Sequence, residues 1–410
     1  MPEADRVAIA APPFPSQTGP RWYWPRSVYI HIPFCAHHCC YCDFAVLTGA
    51  GRLVEDYLDA LEGEMALWLA EPVSVETLYI GGGTPSWLPL PSLRRLLQMV
   101  ARFFLFDQAK VEYTVEANPT DVTEDKLSLL REYGVNRLSL GVQSFRPETL
   151  RFLERHHNFS DIQRAVTSAL QHFSDVSLDL IFAVPGQTLA DWHADLRCAL
   201  GLGVHHLSTY NLTIEPKTAL WARVRRGQVQ PCDEETERLL YAHTIAYLEA
   251  QGWEHYEISN FARPGHASRH NQVYWAGEAY FAFGLGASRY VAGTRSSNTR
   301  SLRLYLSQLR KGQLPIAESE TLTPRLRAAE TAALQLRRRR GIHRDAFREQ
   351  TGFDLDELLG SVLRKHRGRG WLEDAGPIVR LSREGIFYAD VVCADCVACG
   401  ADEHQNGATN

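Results

Sequence analysis

The chain has 410 residues, of which 45% are hydrophobic and 22% charged, with a formal net charge of −5. The acidic balance argues against a nucleic-acid partner, and no apolar run approaches the roughly 18 residues needed to cross a bilayer. The N-terminus has neither a signal-peptide nor a transit-peptide pattern, so a cytoplasmic protein is expected.

Residues 1–26 read as an irregular lead-in, with Pro12, Pro13, Pro15, Pro20 and Pro25. Strands are then predicted at 27–32, 76–80, 111–117, 136–142, 176–183 and 205–212. Helices alternate with them at 53–70, 91–104, 124–133, 160–172, 190–202 and 233–250. Six β-then-α units in series predict an α/β fold with a parallel sheet, over residues 27–250. Polar residues at successive strand ends favour a partial (β/α)6 TIM-like barrel over a flat sheet. An extension follows at 251–320. Over 321–392, helices at 324–336, 343–351 and 354–365 and a hairpin at 371–372 and 378–381 predict a small winged-helix-like domain. Residues 393–410 form a Cys-rich tail with a polar end expected to be disordered.

Cysteine usage carries the first chemical signal. Four of the nine cysteines (Cys35, Cys39, Cys40, Cys42) fall just after the first strand, and Cys393, Cys396 and Cys399 lie near the end. An odd count at tight spacing points to metal rather than disulfides. Cys35, Cys39 and Cys42 form C-x3-C-x2-C. Three thiolates on a [4Fe–4S] cubane leave one iron without a protein ligand. A structural zinc loop is the alternative, but it would need further paired ligands downstream. Cys40 is surplus to the spacing and reads as a buried bystander.

The second strand runs into Gly81-Gly82-Gly83-Thr84-Pro85-Ser86, where glycines would let backbone approach a ligand closely. Later strands end at Glu116, Gln143 and Asp179, and Arg155 follows the fourth. Carboxylates for an ammonium and hydroxyls, with an arginine for a carboxylate, suit an amino acid joined to a ribose. Each of these residues alone also reads as a solvated strand end or a surface ion pair.

The segments 29–44, 81–86, 115–119, 140–145, 178–188 and 209–216 together resemble the family containing oxygen-independent coproporphyrinogen III oxidases and the HemW-type radical-SAM haem chaperones. The likeness covers roughly 27–390. It implies a [4Fe–4S] cluster on Cys35, Cys39 and Cys42, with S-adenosylmethionine on the open iron and a 5′-deoxyadenosyl radical available from it. By position, it implies S-adenosylmethionine contacts at Tyr29, Gly82, Gly83, Thr84, Glu116, Gln143, Arg155 and Asp179. The oxidase branch carries a further cysteine where this chain has Phe44. The chaperone branch carries His-Asn-x-x-Tyr-Trp, here His270-Asn271-Gln272-Val273-Tyr274-Trp275.

The resemblance therefore implies a haem carrier that delivers haem to a haem-requiring respiratory protein, with the oxidase as the alternative; whether the chain is an enzyme stays open. His270 is a candidate axial haem ligand, ahead of Tyr274, although a backbone cap is equally open for it. The tail cysteines read either as a second metal site with His404 or as reactive, unstructured thiols. The Arg337–Arg340 run reads as a solvated face, or as contact with an anionic membrane surface, an acidic partner or haem propionates.

Overall fold

The computed structural model describes residues 19–401. The larger part of the predicted lead-in, the last residues of the tail and His404 lie outside the described residues. All six predicted parallel strands are present: β1 (Ser27–Ile32), β2 (Thr77–Gly82), β3 (Glu112–Ala117), β4 (Arg137–Gln143), β5 (Asp175–Phe182) and β6 (His206–Asn211). They sit in sequence order within a nine-stranded sheet. The three extra strands come from the 251–320 region. β7 (Glu254–Glu257) and β8 (Asn260–Ala262) add antiparallel beyond β6. β9 (Phe281–Phe283) adds parallel to β1 at the opposite edge. One segment thus covers both edges of the barrel sheet, which would otherwise present unpaired backbone groups.

Side-chain alternation gives the sheet two different faces. Val28, Ile30 and Ile32 on β1, Leu78 and Ile80 on β2, and Leu138 and Leu140 on β4 are fully buried. With their counterparts on the other strands they belong to one continuous core. The other face carries Thr114, Glu116, Ser139, Asp179, Ser208 and Tyr210, all of which line one cavity. The helices begin where their caps dictate. Asn158 with Asp161, and Thr188 with Asp191, form reciprocal capping boxes at Phe159–His172 and Leu189–Gly201.

A buried polar network ties the helix Val54–Trp68 to the segment after β9. Glu64 is fully buried. It accepts from the Gly284 amide at 2.8 Å, the Asn298 amide at 2.7 Å and the Tyr305 hydroxyl at 2.7 Å, and pairs with buried Arg289 at 3.2 Å. Removing one partner of such a pair leaves an uncompensated charge in the interior.

After a three-stranded antiparallel sheet (Ser288–Val291, Thr294–Asn298, Ile316–Thr321), the chain forms helices Pro324–Leu336, Arg344–Thr351 and Leu355–Gly368 and a second small sheet. Two expectations are corrected here. Cys393, Cys396 and Cys399 are not on a loose tail but on the helix Ala389–Ala401. Cys396 is fully buried, and the thiols of Cys393 and Cys399 donate to the carbonyls of Ala333 and Leu358. These cysteines act as small core residues. In the Arg337–Arg340 run only Arg340 is exposed. Arg337 pairs with Asp390 and lies over the Trp275 ring, Arg338 is buried, and Arg339 donates to the Leu381 carbonyl. Among the described residues no helix is long and apolar enough to cross a membrane.

Glu64→Gln is expected to lower stability by about 3 kcal/mol by leaving Arg289 buried without its counter-charge. Urea unfolding followed by circular dichroism measures this, and an unchanged midpoint would contradict the network's role.

Candidate functional site

At the C-terminal ends of β1–β6 a cavity of about 570 Å³ opens, a size ordinary for small-molecule sites. Cys35, Cys39 and Cys42 all line it, and Cys40 does not. Cys40 turns away, packs with Leu153, Ile181, Leu212 and Leu220, and donates its thiol to the Phe152 carbonyl. Burial pushes the Cys35 thiol up to about 11, against a 3.4 Å hydrogen bond with Thr84. The Arg155 guanidinium sits 3.5 Å from Cys39 Sγ. Its other nitrogen donates to the Asn118 side chain at 2.5 Å and to the Gly141 carbonyl at 2.6 Å. Among the described residues no three ligating side chains converge on a point suited to one metal ion. A cubane does not need that convergence, because each thiolate takes a different iron.

The glycine run has a tighter role than ligand approach. A Cβ on Gly81 would lie 2.7 Å from the Glu116 carboxyl carbon. On Gly82, at φ +105°, it would lie 2.3 Å from the His31 ring. On Gly83 it would lie 2.8 Å from the carbonyl oxygens of Ile32 and Phe34, where the chain enters the cysteine loop. The Gly83 and Thr84 amides donate to those same two carbonyls, each at 2.8 Å. The strand end and the cysteine loop are therefore sewn together with no room for side chains. Gly82 and Gly83 still line the cavity.

Glu116 stands at the centre of the polar face. It accepts from the Tyr79 hydroxyl at 2.7 Å and the Gly82 amide at 2.9 Å. Burial raises its pKa to about 7, opposed by the Tyr79 hydrogen bond and assisted by the nearby Asp179 charge. Asp179 is raised as well, first by burial, with Ser208 and Ser139 hydrogen bonds opposing. Gln143 lines the cavity from a left-handed backbone at φ 68°, next to an irregularity in the β4–β5 register. Such a conformation in a glutamine is a local strain of the kind found at functional sites.

Two expected site residues lie elsewhere. Tyr29 points into a second cavity, and its hydroxyl meets His31 Nδ1 at 3.0 Å. His270 is buried, and both its ring nitrogens are taken, by the Thr77 hydroxyl at 2.8 Å and the Tyr274 hydroxyl at 2.8 Å. It also stacks on Tyr79. In this conformation both ring nitrogens of His270 are engaged by side-chain hydroxyls. The motif instead divides its residues. Asn271 lines the first cavity, Tyr274 lines the second, and Trp275 lies under Arg337. Sequence reasoning missed Tyr79, Asn118, Ser139 and Ser208. Period-2 spacing from the strand-end residues would have found Ser139 on the strand of Gln143.

Comparison with known proteins decides the family. The sequence model of the radical SAM superfamily matches residues 29–199, and that of the HemN C-terminal domain matches 322–388. The heme chaperone HemW of Bacillus subtilis is 38% identical over 370 residues, spanning 90% of this chain and 98% of that one. The chain belongs to the HemW family. The HemW of Escherichia coli is 35% identical, over 89% of this chain and 96% of its own length. The mouse mitochondrial radical S-adenosyl methionine domain-containing protein 1 is 34% identical, over 72% and 67%. Coproporphyrinogen III oxidase (HemN) from Escherichia coli, a radical SAM enzyme of solved structure, superposes with TM-score 0.80 over 92% of this chain and 90% of its own, at 23% identity. That likeness establishes the fold.

Gly83→Ala is expected to cost about 2 kcal/mol by forcing backbone apart at the loop entrance. Gly201→Ala, where a Cβ meets nothing within 4 Å, is the control and is expected to be neutral or mildly stabilising. Equal unfolding midpoints for the two variants would contradict the close-approach account.

Proposed function

We propose that this protein is a haem chaperone: it holds a [4Fe–4S] cluster on Cys35, Cys39 and Cys42, binds S-adenosylmethionine beside it, and delivers haem to haem-requiring proteins. The observation that carries the reading is similarity, at 38% and 35% identity over 90% and 89% of the chain, to proteins named heme chaperone HemW, together with Phe44 where the oxidase branch has a cysteine. The residues present fit the cluster. Three thiols share one cavity, the surplus thiol faces away, and a cationic guanidinium stands next to Cys39 to offset thiolate charge.

When bound, the cluster supplies one-electron reducing power and an iron position open to an amino acid's amino and carboxylate groups. The chain's own residues bind and orient. Gly82, Gly83 and Thr84 form the cavity wall next to the cysteine loop. Glu116 provides a carboxylate to accept from the N–H groups of the ligand's amine, and Asp179 and Gln143 provide polar partners for its ribose. Arg155, held by Asn118 and the Gly141 carbonyl, provides a cation for its carboxylate. Tyr29 belongs to this set only as support through the adjoining wall. His270 serves haem binding by fixing the helix Arg269–Ala276, not as a free ligand. The acceptor is proposed to be a respiratory haem protein, reached from the cytoplasmic side and by transient membrane contact at most.

Two measurements test this reading. Anaerobically reconstituted protein should bind haem and show no turnover of coproporphyrinogen III; formation of protoporphyrinogen would overturn it in favour of the oxidase. S-adenosylmethionine affinity should fall as pH drops through about 7, because protonation of Glu116, whose pKa burial has raised, removes the carboxylate from the site. Glu116→Gln should bind about tenfold more weakly with a flatter pH response. Wild-type affinity with the same pH dependence would exclude Glu116 from the site.

A further inference from the structure

Beside the first cavity lies a second, of about 320 Å³. Asp43 and Phe44, just past the last cysteine of the loop, line both. The second cavity is walled by aromatic faces. Tyr274 and Tyr280 meet edge to face at 4.6 Å, and Phe44 stands 61% exposed at the boundary between the cavities. Tyr274 is not free to turn away, because its hydroxyl bonds His270 Nε2 while His270 Nδ1 meets Thr77 and the His270 amide donates to Glu112. The rim carries one cation. Arg300 donates to the Asp43 carbonyl, lies 3.8 Å from the Asp43 carboxylate, and keeps a side chain 60% exposed.

From this arrangement we infer that the second cavity is the seat of the tetrapyrrole, with the ring against Tyr274, Tyr280 and Phe44 and a propionate on Arg300. The inference rests on the haem-carrier reading. Aromatic faces recognise a flat apolar macrocycle, and a planar guanidinium recognises a carboxylate in two-point fashion. Besides its bond to the Asp43 carbonyl, Arg300 meets the Asp43 carboxylate only at 3.8 Å, so a propionate can take the carboxylate's place. The volume is at the low end for small-molecule sites, about 300–1,000 Å³. A tetrapyrrole therefore enters by one edge and leaves the other outside, as a carrier that passes its cargo on requires. The seat also explains why His270 is spent on hydrogen bonds: it holds Tyr274 in place.

The test uses the full-length, cluster-reconstituted protein and titrates haem, then haem dimethyl ester, by Soret absorbance. Phe44→Ser and Arg300→Glu change exposed side chains and should leave the fold intact, which circular dichroism checks. Each is expected to weaken haem binding about tenfold. The dimethyl ester should bind wild type weakly, and Arg300→Glu should not weaken it further. Wild-type haem affinity in both variants, with normal haem binding by the wild-type protein, would overturn the seat and leave the chaperone reading standing. No haem binding by the wild-type protein would overturn both.

Discussion

The structure depends on one close approach: the end of β2 pressed against the entrance of the cysteine loop. The Gly83 and Thr84 amides donate to the Ile32 and Phe34 carbonyls at 2.8 Å, and a Cβ on Gly83 would run into that backbone. That contact fixes where Cys35 begins its loop. It also brings Thr84 to the Cys35 thiol and the Gly82 amide to Glu116. One backbone junction thus sets the position of the first cysteine and of the central carboxylate together. Thr84 extends the link, since it also accepts from Asn118, which in turn holds Arg155 beside Cys39.

The second organising fact is the asymmetry of the sheet. The face toward the helices is apolar and fully buried, while the opposite face is lined with serines, threonines and carboxylates. Placing acids in such a surround raises Glu116 and Asp179 and leaves them ready to respond to a cationic ligand. This was legible in the sequence. β3 reads Glu-Tyr-Thr-Val-Glu-Ala and β4 reads Arg-Leu-Ser-Leu-Gly-Val-Gln, and Thr114 and Glu116 of the one and Arg137, Ser139, Gly141 and Gln143 of the other face the cavity. The strands, their order and the helices between them followed from local pattern, because each βα unit is contiguous in the chain and right-handed by default. The strand-end residues Glu116, Gln143 and Asp179 were found at the same time. Those one turn of the pleat inside, such as Ser139, were passed over.

The 251–320 region was the least legible, for a physical reason. Its strands are short and pair at opposite edges of the barrel, β7 and β8 beside β6 and β9 beside β1. Nothing local in the sequence states which distant edge a three- or four-residue strand will join. The same holds for the His270–Trp275 motif. Its residues look like one recognition unit in sequence, yet a helix sends successive side chains in different directions. Asn271, Tyr274 and Trp275 accordingly serve the first cavity, the second cavity and the packing against Arg337. His270 itself is bonded to Thr77 and Tyr274 and stacks on Tyr79. The C-terminal cysteines left a second metal site and an unstructured tail both open in sequence, and on a helix packed against the core they serve as apolar filling.

The central claim is that the cluster sits on Cys35, Cys39 and Cys42 and that the neighbouring Cys40 plays no part. Iron content and the visible absorbance of the reconstituted protein, compared between Cys39→Ala and Cys40→Ala, test this most directly, because the two residues are adjacent in sequence but one lines the cavity and the other is packed in an apolar cluster. Loss of the chromophore in Cys39→Ala with full iron content in Cys40→Ala is the result expected. Retention in Cys39→Ala with loss in Cys40→Ala would contradict it and would require the loop to turn its other thiol into the cavity.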